Sequence, residues 1–482
     1  MKKSLLNIFF LIFLLLSIPA SQYAQKSHLV TKNIDAPSLT NNILGIPTSQ
    51  PLAVYLPPSY DTSSLRYPVV YFLPGFGDQV NYWLNGTYQN FRLNEAMDTL
   101  IMRGTIEEFI VVIANGYNFM QGSFYVNSSV TGNWEDFIIK GVVGFIDENY
   151  RTIKDATSRG ISGHSMGGFG AWNLAMLHPD VFGSVFSLSP GLFDTTGLKN
   201  SQLFKSQSFI NQYLLKEQEY SGMSNTDALA AFKSYIQSRM NAGDWDTPFV
   251  YAYGSAFSPN SNKVFPFIDY PYSKQGDLLV VDSTKLQNFE NGFGGLRQKV
   301  SQYKENLLNL NAIGIDYGLN DEYRWITKGC KYLSDLLTAE GITHQSETFN
   351  GGHQDQVRNR IEGYLLPFFS KNLKFDESAP SDMDKNPTSP EEFNLYPNYP
   401  NPFNPSTTIS YLLSANGHVE LKVFNVQTKE VKTLVCREQQ AGNYKVNFVG
   451  NNLSSGVYFC RLNALGENGK KYSKVVKMVM VK

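Results

Sequence analysis

Apolar and polar positions change rhythm twice along this chain. Leu5 to Leu16 is an unbroken apolar run behind the basic Met1-Lys2-Lys3. Between Tyr67 and about residue 370, short apolar runs alternate with stretches whose apolar residues recur every three or four positions. That is the pattern of buried strands interleaved with amphipathic helices. Asp376 to Glu392 is polar and studded with proline, and beyond it only period-two alternation remains. The first run is too short for a membrane span and is followed by small residues, so it predicts a removable secretory leader over 1–24, cut near Ala20 or Ala24. No other long apolar run follows, which predicts a mature chain without a transmembrane segment. The central pattern predicts an α/β domain over 25–376 with a mainly parallel sheet. The segment 377–393 cannot bury a core and is a linker. The last pattern predicts a small β-sandwich over 394–482, with strands Thr407–Leu413, Val419–Asn425, Tyr444–Phe448, Val457–Leu462 and Tyr472–Val481.

Chemistry enters at Gly163-His164-Ser165-Met166-Gly167. A β-type run precedes this G-x-S-x-G and a helical run, Phe169 to Leu177, follows it. Strand, tight turn and helix are the setting of a nucleophile elbow, which lifts a serine hydroxyl clear of the sheet. The same glycines also mark ordinary strand-to-helix turns, so the partners decide. In an α/β-hydrolase they come in the order serine, acid, histidine. Ala312–Gly318 is a short apolar strand ending in Leu319-Asn320-Asp321, which offers Asp321 as the acid. Asp321 also suits an N-cap for the next helix, and Asp316 and Glu322 are substitutes one step away. A helix over Lys328–Leu337 and an edge strand over Gln345–Phe349 lead to Asn350-Gly351-Gly352-His353. Of the six histidines, His353 directly follows that strand, helix and strand, so it is the candidate base. The oxyanion donors expected are the backbone N–H of Met166 and that of Phe76, in the Pro74-Gly75-Phe76-Gly77-Asp78 turn after the strand Tyr67–Leu73.

Gly197 to Asn311 is a long insertion between the elbow strand and the acid strand. Ser201–Leu215 and Thr226–Met240 predict helices, and an aromatic-rich segment follows, with Tyr251, Tyr253, Phe257, Phe265, Phe267, Tyr270 and Tyr272. These rings either pack the insertion onto the body or form a cap over the acyl pocket. On the second reading Phe257, Phe267 and Tyr270, with Trp83 and Trp134, are candidate substrate contacts.

Val54-Tyr55-Leu56-Pro57-Pro58-Ser59-Tyr60 and Arg66-Tyr67-Pro68-Val69-Val70-Tyr71-Phe72-Leu73 resemble the opening of a secreted esterase family. That family holds feruloyl esterases, S-formylglutathione hydrolases and the mycolyltransferase antigens. Gly132 to Phe137, Asn149-Tyr150-Arg151, Gly163 to Ala171, His178 to Ser189, and the Gly318–Asp321 turn before His353 continue the likeness. It covers most of residues 45 to 370. One departure is Pro74-Gly75, where many members carry His-Gly. The resemblance implies an α/β-hydrolase that forms an acyl-enzyme on Ser165 and acts on feruloyl or acetyl esters of plant polysaccharide. In the tail, Asn398-Tyr399-Pro400-Asn401-Pro402-Phe403-Asn404-Pro405, Leu453 to Tyr458 and Lys474 to Met478 are similar to the C-terminal sorting domain of type nine secretion. That likeness implies a Bacteroidetes-like or related Gram-negative exporter, the type nine machinery as partner, and display at the outer membrane. An accessory carbohydrate-binding sandwich is the other reading of the tail.

Composition narrows the rest. A formal net charge of -1 gives no field for nucleic acid. Three cysteines cannot form a disulfide framework. Cys330 is expected to be a buried thiol on a helix, while Cys436 and Cys460, both on tail strands, leave a bridge open. Histidines are scattered and the cysteines lack ligand spacing, so no metal and no cofactor is expected. Three function classes stay open: an ester hydrolase, an acyltransferase that passes the acyl group to a sugar hydroxyl, and a silent binding protein that keeps the fold.

Overall fold

Eight strands build the central sheet: β1 (His28–Asp35), β2 (Ser49–Leu56), β3 (Val69–Leu73), β4 (Ile110–Ala114), β5 (Arg159–His164), β6 (Ser184–Leu188), β7 (Ala312–Gly318) and β8 (Gln345–Phe349). Their spatial order is β1-β2-β4-β3-β5-β6-β7-β8. β1, β2 and β4 pair antiparallel, and every pairing from β4 through β8 is parallel. This is a mainly parallel sheet of an α/β domain, with antiparallel pairing only at one edge. The computed structural model describes residues 27–200, 204, 206–376, 393–396, 398, 401–451, 453–466 and 469–481. The expected leader, and the expected linker apart from residue 393, lie outside them.

β3, β4 and β6 are buried at every position. Their continuous apolar sequences, Val69-Val70-Tyr71-Phe72-Leu73 and Ile110-Val111-Val112-Ile113-Ala114 among them, follow from having helices on both faces. One core packs Leu73, Phe169 and Leu174 with the insertion's Phe232, Tyr253 and Phe293. The other packs Phe72, Phe186 and Leu188 against Leu93–Met102 and the last helices of the domain. The pairings Leu73↔Gly163 and His164↔Leu188 bring the carboxyl ends of β3, β5 and β6 level. Loops that leave those ends therefore meet in one place.

The insertion holds helices Gln207–Ser221, Asn225–Asn241, Asp246–Phe257 and Ser283–Phe293, and a hairpin of Tyr272–Gln275 with Leu278–Val281. Its first helix starts at Gln207 rather than Ser201, because Ser206 Oγ accepts the Phe209 N–H and sets the N-terminus. Residues 201–203 and 205 are outside the described set. The aromatic segment does not form one element. Tyr251, Tyr253 and Phe257 ride on the helix Asp246–Phe257, while Phe265 to Tyr270 form an irregular turn before the hairpin.

The chain divides into two compact units, residues 1–376 and 377–482. In the second, β9 (Ser406–Leu413), β10 (Gly417–Asn425), β11 (Glu430–Gln439), β12 (Gly442–Val449), β13 (Gly456–Gly466) and β14 (Lys471–Met480) form two antiparallel sheets. β9 lies between β12 and the short strand Asn394–Leu395, and the other sheet runs β11-β10-β13-β14. The strands expected from sequence include no range for β11, although Cys436 is expected on a strand. β11 is an edge strand with two register irregularities against β10, and charged residues interrupt its alternation. Cys436 is exposed, Cys460 is buried, and both are free thiols, so the tail carries no bridge between them.

Candidate active site

Ser165 stands between β5 and the helix Met166–Leu177 with φ 58° and ψ −114°. A non-glycine residue keeps such a backbone only where its surroundings over-determine it. Here its N–H donates to Leu188 O and its carbonyl accepts the Phe169 N–H, both at 2.9 Å. Glycine is required on either side by close approach. A Cβ at Gly167 would lie 1.8 Å from Leu73 O, and one at Gly163 would lie 2.4 Å from the same atom. The G-x-S-x-G spacing is thus the footprint of a turn pressed against the end of β3.

Asp321 and His353 come from the loops after β7 and β8. His353 Nδ1 lies 2.7 Å from Asp321 Oδ2, and the pair is buried. The second carboxylate oxygen of Asp321 accepts the Tyr323 N–H at 2.9 Å, just before the helix Arg324–Ala339. Asp321 thus divides its two oxygens between the His353 ring and the backbone just ahead of that helix, whose N-cap position is held by Tyr323. The two substitute acids are engaged elsewhere. Glu322 accepts the backbone N–H of His353 at 2.8 Å. Asp316 forms a buried two-pronged ion pair with Arg360, at 2.9 and 2.8 Å. The carbonyl of His353 accepts from Arg360 Nη1 at 3.2 Å and from His164 Nε2 at 3.0 Å. The histidine loop is thus held at its N–H, its carbonyl and its ring. With Nδ1 directed at the carboxylate, the buried Nε2 is left without a protein partner. It makes no hydrogen bond to Ser165, a looseness common before substrate tightens the contact.

His164, inside the elbow, is buried against Trp83 and His353. Burial holds its pKa well below the ordinary histidine value, and the nearby His353 and Arg360 push the same way. It is therefore a neutral donor to the His353 carbonyl. Asp78 closes the turn after β3. It accepts the Gly75 N–H at 2.9 Å, Trp83 Nε1 at 3.3 Å and the Tyr88 hydroxyl. Burial raises its pKa, against the pull of those hydrogen bonds. The Tyr125 hydroxyl fixes Pro74 O at 2.9 Å, and Gly77 N–H fixes the turn to Gln121 O at 2.8 Å. The backbone N–H groups of Phe76 and Met166 have no acceptor among the described residues, and both residues face the same cavity.

That cavity has a volume of about 480 Å³ and includes Ser165 and His353 in its wall. Tyr88, Trp245, Phe249, Phe293, Tyr323 and Trp325 are among its aromatic wall residues. Its charged wall residues other than histidine, Asp78, Asp246 and Glu322, are all acidic. The five aromatic contacts expected from sequence are not in this wall. Trp83 lies behind it, packed on Phe72 and Tyr88. Trp134 is fully buried on Phe137 with its Nε1 donating to Thr131 O. Phe257 packs on Tyr253 and Phe169, Phe267 on Phe265, and Tyr270 stacks on Tyr213. Phe257, against Phe169, ties the insertion to the body, while Phe267 and Tyr270 pack within the insertion. The insertion reaches the cavity through Trp245, Asp246, Phe249 and Phe293 instead. Trp245 and Phe249 stand four apart at the start of a helix, a spacing that puts both on one face and that sequence reading passed over.

Residues 45–249 match the family described as "Putative esterase", and residues 398–478 match the secretion system C-terminal sorting domain. An endo-1,4-beta-xylanase/feruloyl esterase of Xylanibacter ruminicola is 30% identical over 200 residues, which are 39% of this chain and 26% of that protein. S-formylglutathione hydrolase of Arabidopsis thaliana is 31% identical over 157 residues, 30% of this chain and 52% of that protein. The chain thus spans between about a quarter and a half of the length of these two relatives. A solved ferulic acid esterase aligns with 72% of this chain and 99% of its own, at 19% identity and a TM-score of 0.47. It is the strand order that carries the fold.

Proposed function

We propose, for a chain that joins an esterase-family segment to a secretion sorting domain, that it is an exported serine ester hydrolase working through an acyl-enzyme on Ser165. The observation that carries this reading is the buried Asp321–His353 hydrogen bond beside a serine held at positive φ in the same cavity. In the reaction, Ser165 Oγ attacks the ester carbonyl and gives its proton to His353 Nε2. Asp321 keeps the ring in the tautomer whose Nε2 is free and stabilises the cation that forms. Phe76 and Met166 N–H groups receive the oxyanion. His353 then returns the proton to the leaving alkoxide, and water, activated by the same nitrogen, frees the acid.

The cavity wall favours a neutral, flat acyl group. Aromatic side chains flank Ser165, and among the described residues no lysine or arginine stands in the wall to pair with an anionic substrate. Feruloyl or other acyl esters of plant polysaccharide fit this better than an anionic thioester. The sorting domain makes the outer surface the place of action, and no helix among the described residues is long and apolar enough to cross a membrane.

The test is hydrolysis of p-nitrophenyl acetate, longer acyl esters, methyl ferulate and acetylated xylan by the wild type beside Ser165→Ala. Turnover should fall by about 10⁴-fold or more in the variant, as when an acyl-transfer nucleophile is lost. Hydrolysis that survives the substitution sinks the assignment of Ser165.

A further inference from the structure

On the outer face of the sheet β11-β10-β13-β14, the antiparallel pairing places Glu420 opposite Cys436 and His418 opposite Glu438. Side chains on that face turn away from the tail's core, and His418 and Cys436 are exposed. His418 Nε2 lies 3.7 Å from Cys436 Sγ, and Glu420 Oε1 lies 4.0 Å from the same sulfur. The three donor atoms fall within 4.8 Å of one another. A tetrahedral zinc ion, with bonds of about 2.3 Å to sulfur and about 2.0–2.2 Å to nitrogen or oxygen, holds its donors about 3.3–3.6 Å apart. Side-chain shifts of a few tenths of an ångström would bring the two sulfur distances into that range.

A second observation points the same way. Glu438 Oε1 stands 3.2 Å from His418 Nδ1. A carboxylate that accepts the Nδ1–H leaves the Nε2 lone pair facing Cys436, which is the support that metal-bound histidines ordinarily have. The geometry points to a site for a borderline-soft divalent cation, zinc by its donor set, made by His418, Glu420 and Cys436 with the fourth position open to solvent. Thiolate and imidazole together select such an ion over magnesium or calcium. On binding, the Cys436 thiol gives its proton to solvent and the sulfur bonds the metal, with no redox change. Lys422 Nζ, 3.1 Å from Glu420 Oε1, is the built-in competitor that the cation displaces.

The cation can be read directly with cobalt(II) as the probe on the reduced full chain. A thiolate-to-cobalt charge-transfer band should appear at one equivalent and vanish on adding zinc. Cys330 and Cys460 are buried, so the band reports Cys436. Cys436→Ser and His418→Ala should abolish it, Glu438→Gln should weaken binding about 10–100-fold, and Lys422→Ala should tighten it. Melting of the metal-free variants should match the wild type, since all four side chains sit on the outer face. A band that persists in Cys436→Ser, or cobalt bound without any band, overturns the site. So does a thiol that only forms intermolecular disulfides in air and takes up no metal when reduced.

Discussion

His164 and Ser165 are neighbours in sequence with opposite tasks. The serine is presented to the cavity, while the imidazole of His164 is buried and donates to the His353 carbonyl. The burial has a consequence for acid stability. In the unfolded chain His164 takes up a proton near its ordinary value of 6.5, whereas in the folded protein its pKa lies well below that. Below that pH the unfolded state therefore binds the extra proton. The stability His164 contributes is complete above it and is lost as pH falls, by at most about 1.4 kcal/mol per unit, until the folded value is reached. His164→Gln retains an N–H donor and should flatten this acid limb by about one proton. Urea midpoints between about pH 8 and pH 5 check it, and an unchanged slope would mean that another group sets the acid limb.

Between residue and molecule, the helix Asp246–Phe257 shows how one element divides its labour. Tyr251 and Tyr253 turn into the core, while Phe249, and Trp245 just ahead of the helix, face the cavity. Trp245 is half exposed there, so truncating it leaves the core intact and opens the acyl site. Trp245→Ala should raise KM for methyl ferulate about 10-fold or more, the loss of about 1.4 kcal/mol of ring contact, while p-nitrophenyl acetate is little affected. An equal effect on both esters would place Trp245 in the support of the reacting groups. The Arg360–Asp316 pair is the other element-scale feature. It joins the end of β7 to the helix after His353, and Arg360 also donates to the His353 carbonyl, so the His353 loop is anchored to the strand that precedes the Asp321 loop.

For the whole molecule, the two units share no apolar cluster: two lie in the first, and the tail has its own, built on Leu421, Val423, Cys460 and Leu462. Separate cores imply separate folding. A chain ending at Asp376 should keep kcat and KM on soluble esters within about twofold, because Ser165, Asp321 and His353 all belong to the first unit. The same truncation should abolish delivery to the cell surface, followed by fractionation and whole-cell hydrolysis. A collapse of soluble activity would show that the tail supports the catalytic unit.

What sequence alone determined was local and periodic. Gly163 and Gly167 marked a turn too tight for a Cβ, and the strand–helix–strand rhythm placed Asp321 and His353 after β7 and β8. The buried parallel strands followed from unbroken apolar runs, since a strand covered on both faces needs no polar side. The tail's alternation likewise foretold five of its longer strands, while β11, charged and paired on one side only, carried too weak a rhythm. Tertiary structure decided what depends on direction in space. It turned Trp245 and Phe249 toward the cavity and Phe257, Phe267 and Tyr270 away, although all are aromatic residues of one insertion. It also gave the carboxylate of Asp321 two partners, and it set His418, Glu420 and Cys436 on one sheet face. Such choices rest on register and packing between segments far apart in the chain, and a one-residue slip in a strand reverses every side chain.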